Sequence, residues 1–173
     1  MRKVTCLLFT VILLSACSQS SEPSRQQKYF FDIAGYFQRQ AEILKNKKVL
    51  KTVQKNGVSE TKTLEISDWQ QELALFTEAD INKPAWKNSY KVDSGANKLL
   101  YTAKEADLRV QKITINFANE GQVKQIAIST QSTNLLYHTT ENLLFVADSA
   151  YRIEKHQKVL LLGANDYLIN GKF

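Results

Sequence analysis

The chain has 173 residues, 43% of them hydrophobic, with 23 Lys and Arg against 17 Asp and Glu and a formal net charge of +6. That length and apolar content suit one domain that buries a core without staples, and with one of the two cysteines, Cys6, inside the N-terminal apolar run, only Cys17 is left, too few for a disulfide framework or a Cys-based metal centre. The positive excess falls well short of a nucleic-acid footprint.

Residues 1–17 read MRKVTCLLFTVILLSAC. Arg2 and Lys3 form a basic start, Val4 to Leu14 an apolar run, and Ser15-Ala16 a small-residue exit, which together describe an export signal. Spanning a bilayer takes about 20 apolar residues, so this run is short for a retained transmembrane helix. Its end, Leu14-Ser15-Ala16-Cys17, resembles the lipobox of bacterial lipoproteins, in which a Leu and two small residues precede a Cys. The resemblance implies cleavage before Cys17, acylation of its sulfur and its new amino group, and loss of residues 1–16 as a signal peptide. Cys6 does not compete, because Lys3 stands where the Leu would be. The alternative is an ordinary secretory leader in which Cys17 is incidental. One acyl chain binds a membrane only marginally, at about 0.8 kcal/mol per buried methylene, so several chains are needed for a stable anchor. Within the same resemblance, Ser18 rather than Asp after the Cys implies sorting to the outer membrane of a Gram-negative host. The absence of an acidic cluster in Ser18-Gln-Ser-Ser-Glu22 favours its periplasmic face. Loss of Arg2 and Lys3 lowers the net charge from +6 to +4, a mild excess compatible with anionic headgroups.

Ser18 to Gln27 is polar, contains Pro23 and has no aliphatic residue, so residues 17–27 read as a lipidated Cys and flexible tether. The globular domain is expected over residues 28–173. Phe30, Ile33, Ala34, Phe37, Ala41 and Leu44 recur at three and four, which predicts a helix over Tyr29 to Lys45, with Ser24 and Gln27 as a capping box. Val49 to Val53, the turn pair Asn56-Gly57, and Val58 to Ile66 predict a hairpin. Lys45, Lys47, Lys48, Lys51, Lys55 and Lys62 gather there and read either as edge protection or as a contact for an acidic partner. Ser67-Asp68 opens a second short helix, with Gln70 in capping-box position, Trp69, Leu73 and Phe76 on its apolar face, and an end before Pro84.

From Lys98 onward the pattern turns to strands. They are expected at Leu99–Ala103, Leu108–Phe117, Val123–Gln131, Leu135–Thr139, Leu143–Ala147, Tyr151–Lys155, Val159–Leu162 and Tyr167–Lys172. Turns are expected at Asp93-Ser94-Gly95, Ala118-Asn119-Glu120-Gly121 and Gly163-Ala164-Asn165-Asp166. Connections of two to five residues predict an antiparallel meander. The fold class is α+β: an N-terminal helix packed on a curved, mostly antiparallel sheet of about seven to nine strands, with a second short helix. This order resembles the architecture of periplasmic lipoprotein carrier and receptor proteins, where a curved sheet wraps around helices, though no motif carries the likeness. The terminal Phe173 also resembles the last strand of an outer-membrane barrel, but the expected strands of five to seven residues are too short to cross a bilayer.

The chain carries no motif for catalysis, metal or cofactor. His138 and His156 have no second His or Cys at ligand spacing, no G-x-S-x-G occurs, and the six glycines form no phosphate-cradling loop. Glu141, Asp148 and Glu154 are the acids with some prospect of meeting at one end of the sheet. The composition and the leader therefore predict a non-enzymatic, lipid-anchored envelope protein that takes no cofactor. Its partners are the membrane, through its acyl chains, and another envelope protein or an apolar ligand, with no nucleic acid. Trp86, Tyr90 and Tyr101, near the least regular segment, are the candidate contacts. An envelope hydrolase with a scattered active site is the alternative, as is a carrier of an apolar ligand or lipid.

Overall fold

The computed structural model describes residues 28–118 and 121–173. The leader, Cys17 with its lipobox, the tether over 17–27, the Ser24–Gln27 capping box and residues 119–120 of the turn expected after Phe117 lie outside the described residues.

Nine strands build one open, antiparallel sheet, with burial alternating along its central strands, and three helices pack on one of its faces. The helix expected over Tyr29–Lys45 forms as α1 (Ile33–Ile43), and its N-cap is Asp32, whose carboxylate accepts the Gly35 N–H at 2.9 Å. The polypeptide entering α1 is clamped by Asn82. Its Oδ1 accepts the N–H groups of Tyr29 and Phe30, each at 2.9 Å, and its Nδ2 donates to the Phe31 carbonyl at 3.1 Å. The hairpin is β1 (Lys48–Lys55) and β2 (Val58–Glu65), and both turn residues take positive φ, 49° at Asn56 and 86° at Gly57.

Two helices replace the single one expected after Asp68: α2 (Trp69–Glu72) and α3 (Ala74–Thr77), broken at Leu73. The cap sits one residue later than expected, since Asp68 accepts from the Gln71 N–H at 2.9 Å. After a 3₁₀ turn at Pro84–Trp86 come β3 (Tyr90–Gly95), β4 (Lys98–Ala103), β5 (Val110–Phe117), β6 (Val123–Thr133), β7 (Tyr137–Val146), β8 (Ala150–Val159) and β9 (Gly163–Lys172). The spatial order is β2-β1-β9-β8-β7-β6-β5-β4-β3. The meander thus runs from β3 to β9, and the N-terminal hairpin docks on its last strand, with Val53 opposite Ile169.

Several boundaries differ from the sequence reading. Asp93-Ser94-Gly95 is not a turn but the end of β3, paired with Leu100, Leu99 and Lys98. Leu135–Thr139 and Leu143–Ala147 merge into β7, because the intervening Glu141 points to the buried face, where it finds partners. Tyr151–Lys155 and Val159 merge into β8. Gly163 to Asp166 belongs to β9, and the turn before it is made by Leu160, Leu161 and Leu162. With β6 at 11 residues and β7, β8 and β9 at 10 each, strand length gives no ground against a barrel. The ground lies elsewhere: β2 and β3 are unpaired edges, and the face away from the helices is largely polar.

The core lies between helices and sheet. Phe37 packs on Phe76 at 4.7 Å and on Phe145 at 5.2 Å, and Phe30 lies edge-on to Tyr101 at 5.4 Å and Tyr90 at 5.7 Å. Side chains of this size bury about 150–250 Å² each and dominate the packing. Tyr151 lies across Gly171 on the neighbouring strand, where a Cβ would come within 2.1 Å of the ring. Its hydroxyl donates to Glu72 Oε1 at 2.5 Å, and Lys51 holds Oε2 of the same carboxylate at 2.7 Å. Burial first, and then that carboxylate, push the Tyr151 hydroxyl far above the usual tyrosine range.

Candidate functional site

The three aromatic candidates have different surroundings. Tyr90 and Tyr101 are each 4% exposed, and both sit on Phe30. The Tyr90 hydroxyl donates to the Val110 carbonyl at 3.0 Å, while the Tyr101 hydroxyl accepts the Phe31 N–H at 3.1 Å. Both rings are therefore taken up by the core. Trp86 is half-buried, with Lys83 Nζ 4.2 Å from the ring centroid. Nothing groups the three into one exposed patch.

The lysine cluster also disperses. Lys45 pairs with Glu42 at 2.5 Å, Lys51 with Glu72 and Lys62 with Glu60 at 2.5 Å, while Lys47 sits over Phe173 and Lys55 over Tyr167. The acids do not converge. Glu141 faces the helix side and is buried, Glu154 lies on the opposite face, and Asp148 occupies the β7–β8 turn with φ 56°. Glu141 is held by Thr130 Oγ1 at 2.8 Å, Lys155 at 3.3 Å and Arg109 at 3.4 Å. A buried carboxylate needs such partners, and these serve the fold.

His138 and His156 share the helix-free face on adjacent strands, offset by two residues in register. His138 Nδ1 is 2.7 Å from Thr133 Oγ1, and His156 Nδ1 is 2.5 Å from Asp166 Oδ1. The second pair lies in a shallow depression of about 290 Å³ with Thr140, Asn142 and Glu154 on its wall. Asp166 is largely exposed, so the dyad lacks the burial that tunes a general base. Among the described residues no three His, Cys, Asp or Glu side chains gather to hold a metal ion.

The least expected feature is apolar. The β6–β7 turn and the β8–β9 turn are neighbours at one end of the sheet, because Tyr137 pairs with Val159 and the Leu160 N–H donates to the Leu136 carbonyl at 2.8 Å. Five leucines project there: Leu135 at 95% exposure, Leu161 at 97%, Leu162 at 80%, with Leu136 and Leu160 also mostly in solvent. Tyr137, partly exposed, stands at their base. The helices pack on Phe145, Tyr151 and Phe173, near the far end of β7–β9. The end of α3 reaches along β7 as far as Glu141, where Arg109 joins that carboxylate to the Glu78 carbonyl, four residues or about 13 Å of strand short of Tyr137, so the leucines lie beyond the helix layer. The sequence reading placed them in strands. A signal was present, since three consecutive leucines cannot all face one side of a period-two strand.

No protein-family model matches the chain, and no curated protein and no solved structure matches it.

Proposed function

We propose that the chain is a lipid-anchored cell-envelope protein with a non-enzymatic binding role. In this reading residues 1–16 are removed, Cys17 carries the acyl chains, residues 17–27 tether the domain, and the protein resides at the periplasmic face of the outer membrane. The sheet curves over its helices as a rigid support, and the leucine-tipped end makes the contact. One observation carries the binding role: five leucines are spent on two adjacent turns, where folding gains nothing from them. Exposed apolar clusters of this kind mark interaction sites. The carrier alternative draws no comparable support, since interlocked aromatic rings occupy the space between helices and sheet.

The hydrolase alternative rests on the His156–Asp166 pair beside Thr140. It predicts that purified protein cleaves ester or amide probes and that His156→Ala abolishes the cleavage.

The test of the main reading has two arms, both in growing cells. Labelled fatty acid is expected in the wild-type chain and absent from Cys17→Ser. A photo-crosslinking residue at position 161 is expected to capture an envelope component, while one at exposed Ser149, in the β7–β8 turn at the other end of the sheet, captures none. Equal or absent capture from both positions defeats the binding role.

A further inference from the structure

Resting on that binding reading and naming its partner, we infer that the leucine-tipped end is a second membrane contact, which inserts into an anionic phospholipid bilayer beside the acyl anchor. Four observations favour a bilayer over a protein surface. The apolar side chains are leucines on protruding turns, a residue under-represented in protein–protein hot spots, and of the hot-spot types Trp, Tyr and Arg only Tyr137 stands beside them, at their base. The N–H groups of Asn134, Leu136, Leu160 and Leu162 are bonded within this end of the sheet, which lowers the cost of entering a medium poor in hydrogen bonds and leaves the tip carbonyls at headgroup depth. Asn134 Oδ1 accepts the N–H groups of Leu136 and Tyr137 at 2.8 and 2.9 Å, and the Asn134 N–H donates to the Tyr137 carbonyl at 2.9 Å. The Leu162 N–H donates to the Val159 carbonyl at 3.2 Å.

Charge gives the third. Neither Ser132–Thr139 nor Gln157–Asn165 contains an acidic residue, the exposed Asp166 on β9 is paired with His156, and Lys55 on β1 and Lys158 on β8, to either side of β9, are exposed and in no ion pair among the described residues. Cations flanking an apolar tip match a headgroup layer of negative sign. The fourth is geometry: Leu161 takes φ 70°, a left-handed conformation that suits Gly or Asn far better than Leu. A leucine kept there against local preference points outward to something that receives it. Tyr137 at the base has the apolar body and polar tip that suit the headgroup boundary. An acyl anchor with a second, weaker contact on the same bilayer gains from effective concentration, so the leucines need not bind strongly alone.

The experiment places tryptophan in the full chain at Leu161→Trp and, as a second site without the positive φ, at Leu135→Trp. Ser149→Trp, in the β7–β8 turn at the opposite end of the sheet, is the control. Each is added to vesicles of phosphatidylglycerol and phosphatidylcholine with brominated acyl chains, which quench indole only inside the apolar layer. Emission from positions 161 and 135 is expected to fall below that in unbrominated vesicles, beyond the change in the wild-type chain, while position 149 follows the wild type. Unquenched emission at both leucine positions overturns the inference. So does a concentration-dependent emission shift without vesicles, which assigns the surface to a second copy of the chain. A crosslink from position 161 to protein without bromine quenching overturns the bilayer as partner and leaves the binding role standing.

Discussion

At the scale of single residues, Leu161 and Gly171 present opposite conflicts between side chain and backbone. Leu161 has unlimited space and an unfavourable φ, so Leu161→Gly is expected to raise stability by about 1 kcal/mol while removing the most exposed apolar tip. Urea denaturation of the two proteins measures it, and a neutral or lower midpoint contradicts the strain. Gly171 has ordinary backbone geometry and no space, because the Tyr151 ring lies where a Cβ would be. Gly171→Ala should displace that ring from Glu72 and lower stability by about 1–3 kcal/mol in the same assay.

At the scale of elements, α1 depends on Asp32, which caps it and pairs with Lys28. Burial raises its carboxyl pKa, but the Lys28 hydrogen bond, the Gly35 N–H and nearby positive charges outweigh burial and hold it below the usual 3.8. A folded-state value below the unfolded one stabilises above the unfolded value, and the gain is lost as pH falls through the folded value. Asp32→Asn keeps a capping oxygen and loses the charge. The variant is therefore expected to melt below the wild type at pH 7, by about 0.5 kcal/mol, with the gap closing in acid below 3.8. A gap that persists at pH 2 would place the effect outside the charge.

Elements also show what the sequence made legible. Asn56-Gly57 announced its hairpin because positive φ at both positions selects those residues. The helical face of Phe37 and Ala41 and the alternation of Ile113 and Ile115 were equally plain. The leucine turns were hidden, because turn chemistry is read from Gly, Asn and Asp, and Leu160 to Leu162 carry none of it. β7 looked broken because Glu141 reads as solvent-facing until Arg109 and Lys155, far off in sequence, are seen beside it. Tyr90 and Tyr101 were singled out as contacts because an aromatic ring reads alike in a core and on a surface. Only Phe30, arriving from the start of the domain, decides between them.

At the scale of the whole molecule, the aromatic core sets an alkaline limit. Burial pushes the Tyr36 hydroxyl up to about 12, with Asp148 adding to the effect and Arg39 opposing it, and burial likewise pushes Tyr90 to about 12. Each folded value exceeds the unfolded value of about 10, so their stabilisation is complete below pH 10 and is lost as pH rises through 12. Tyrosinate absorbance should therefore appear in two stages, the second coinciding with loss of the circular-dichroism signal of the sheet. A single transition near pH 10 with the sheet intact contradicts the buried assignment.

The docking of β1 on β9 has a further consequence, in time. Leu50 pairs with Lys172, about 120 residues later, and β9 is the bridge between the N-terminal hairpin and the remainder of the sheet. A two-stranded hairpin alone is marginal, so β1 and β2 have no stable place until β9 has been made. Pairing over such a separation folds slowly. β9 therefore acts as a latch for the hairpin. Strands β3 to β8 pair among themselves without β9, whereas β1 and β2 join the sheet only once it is in place.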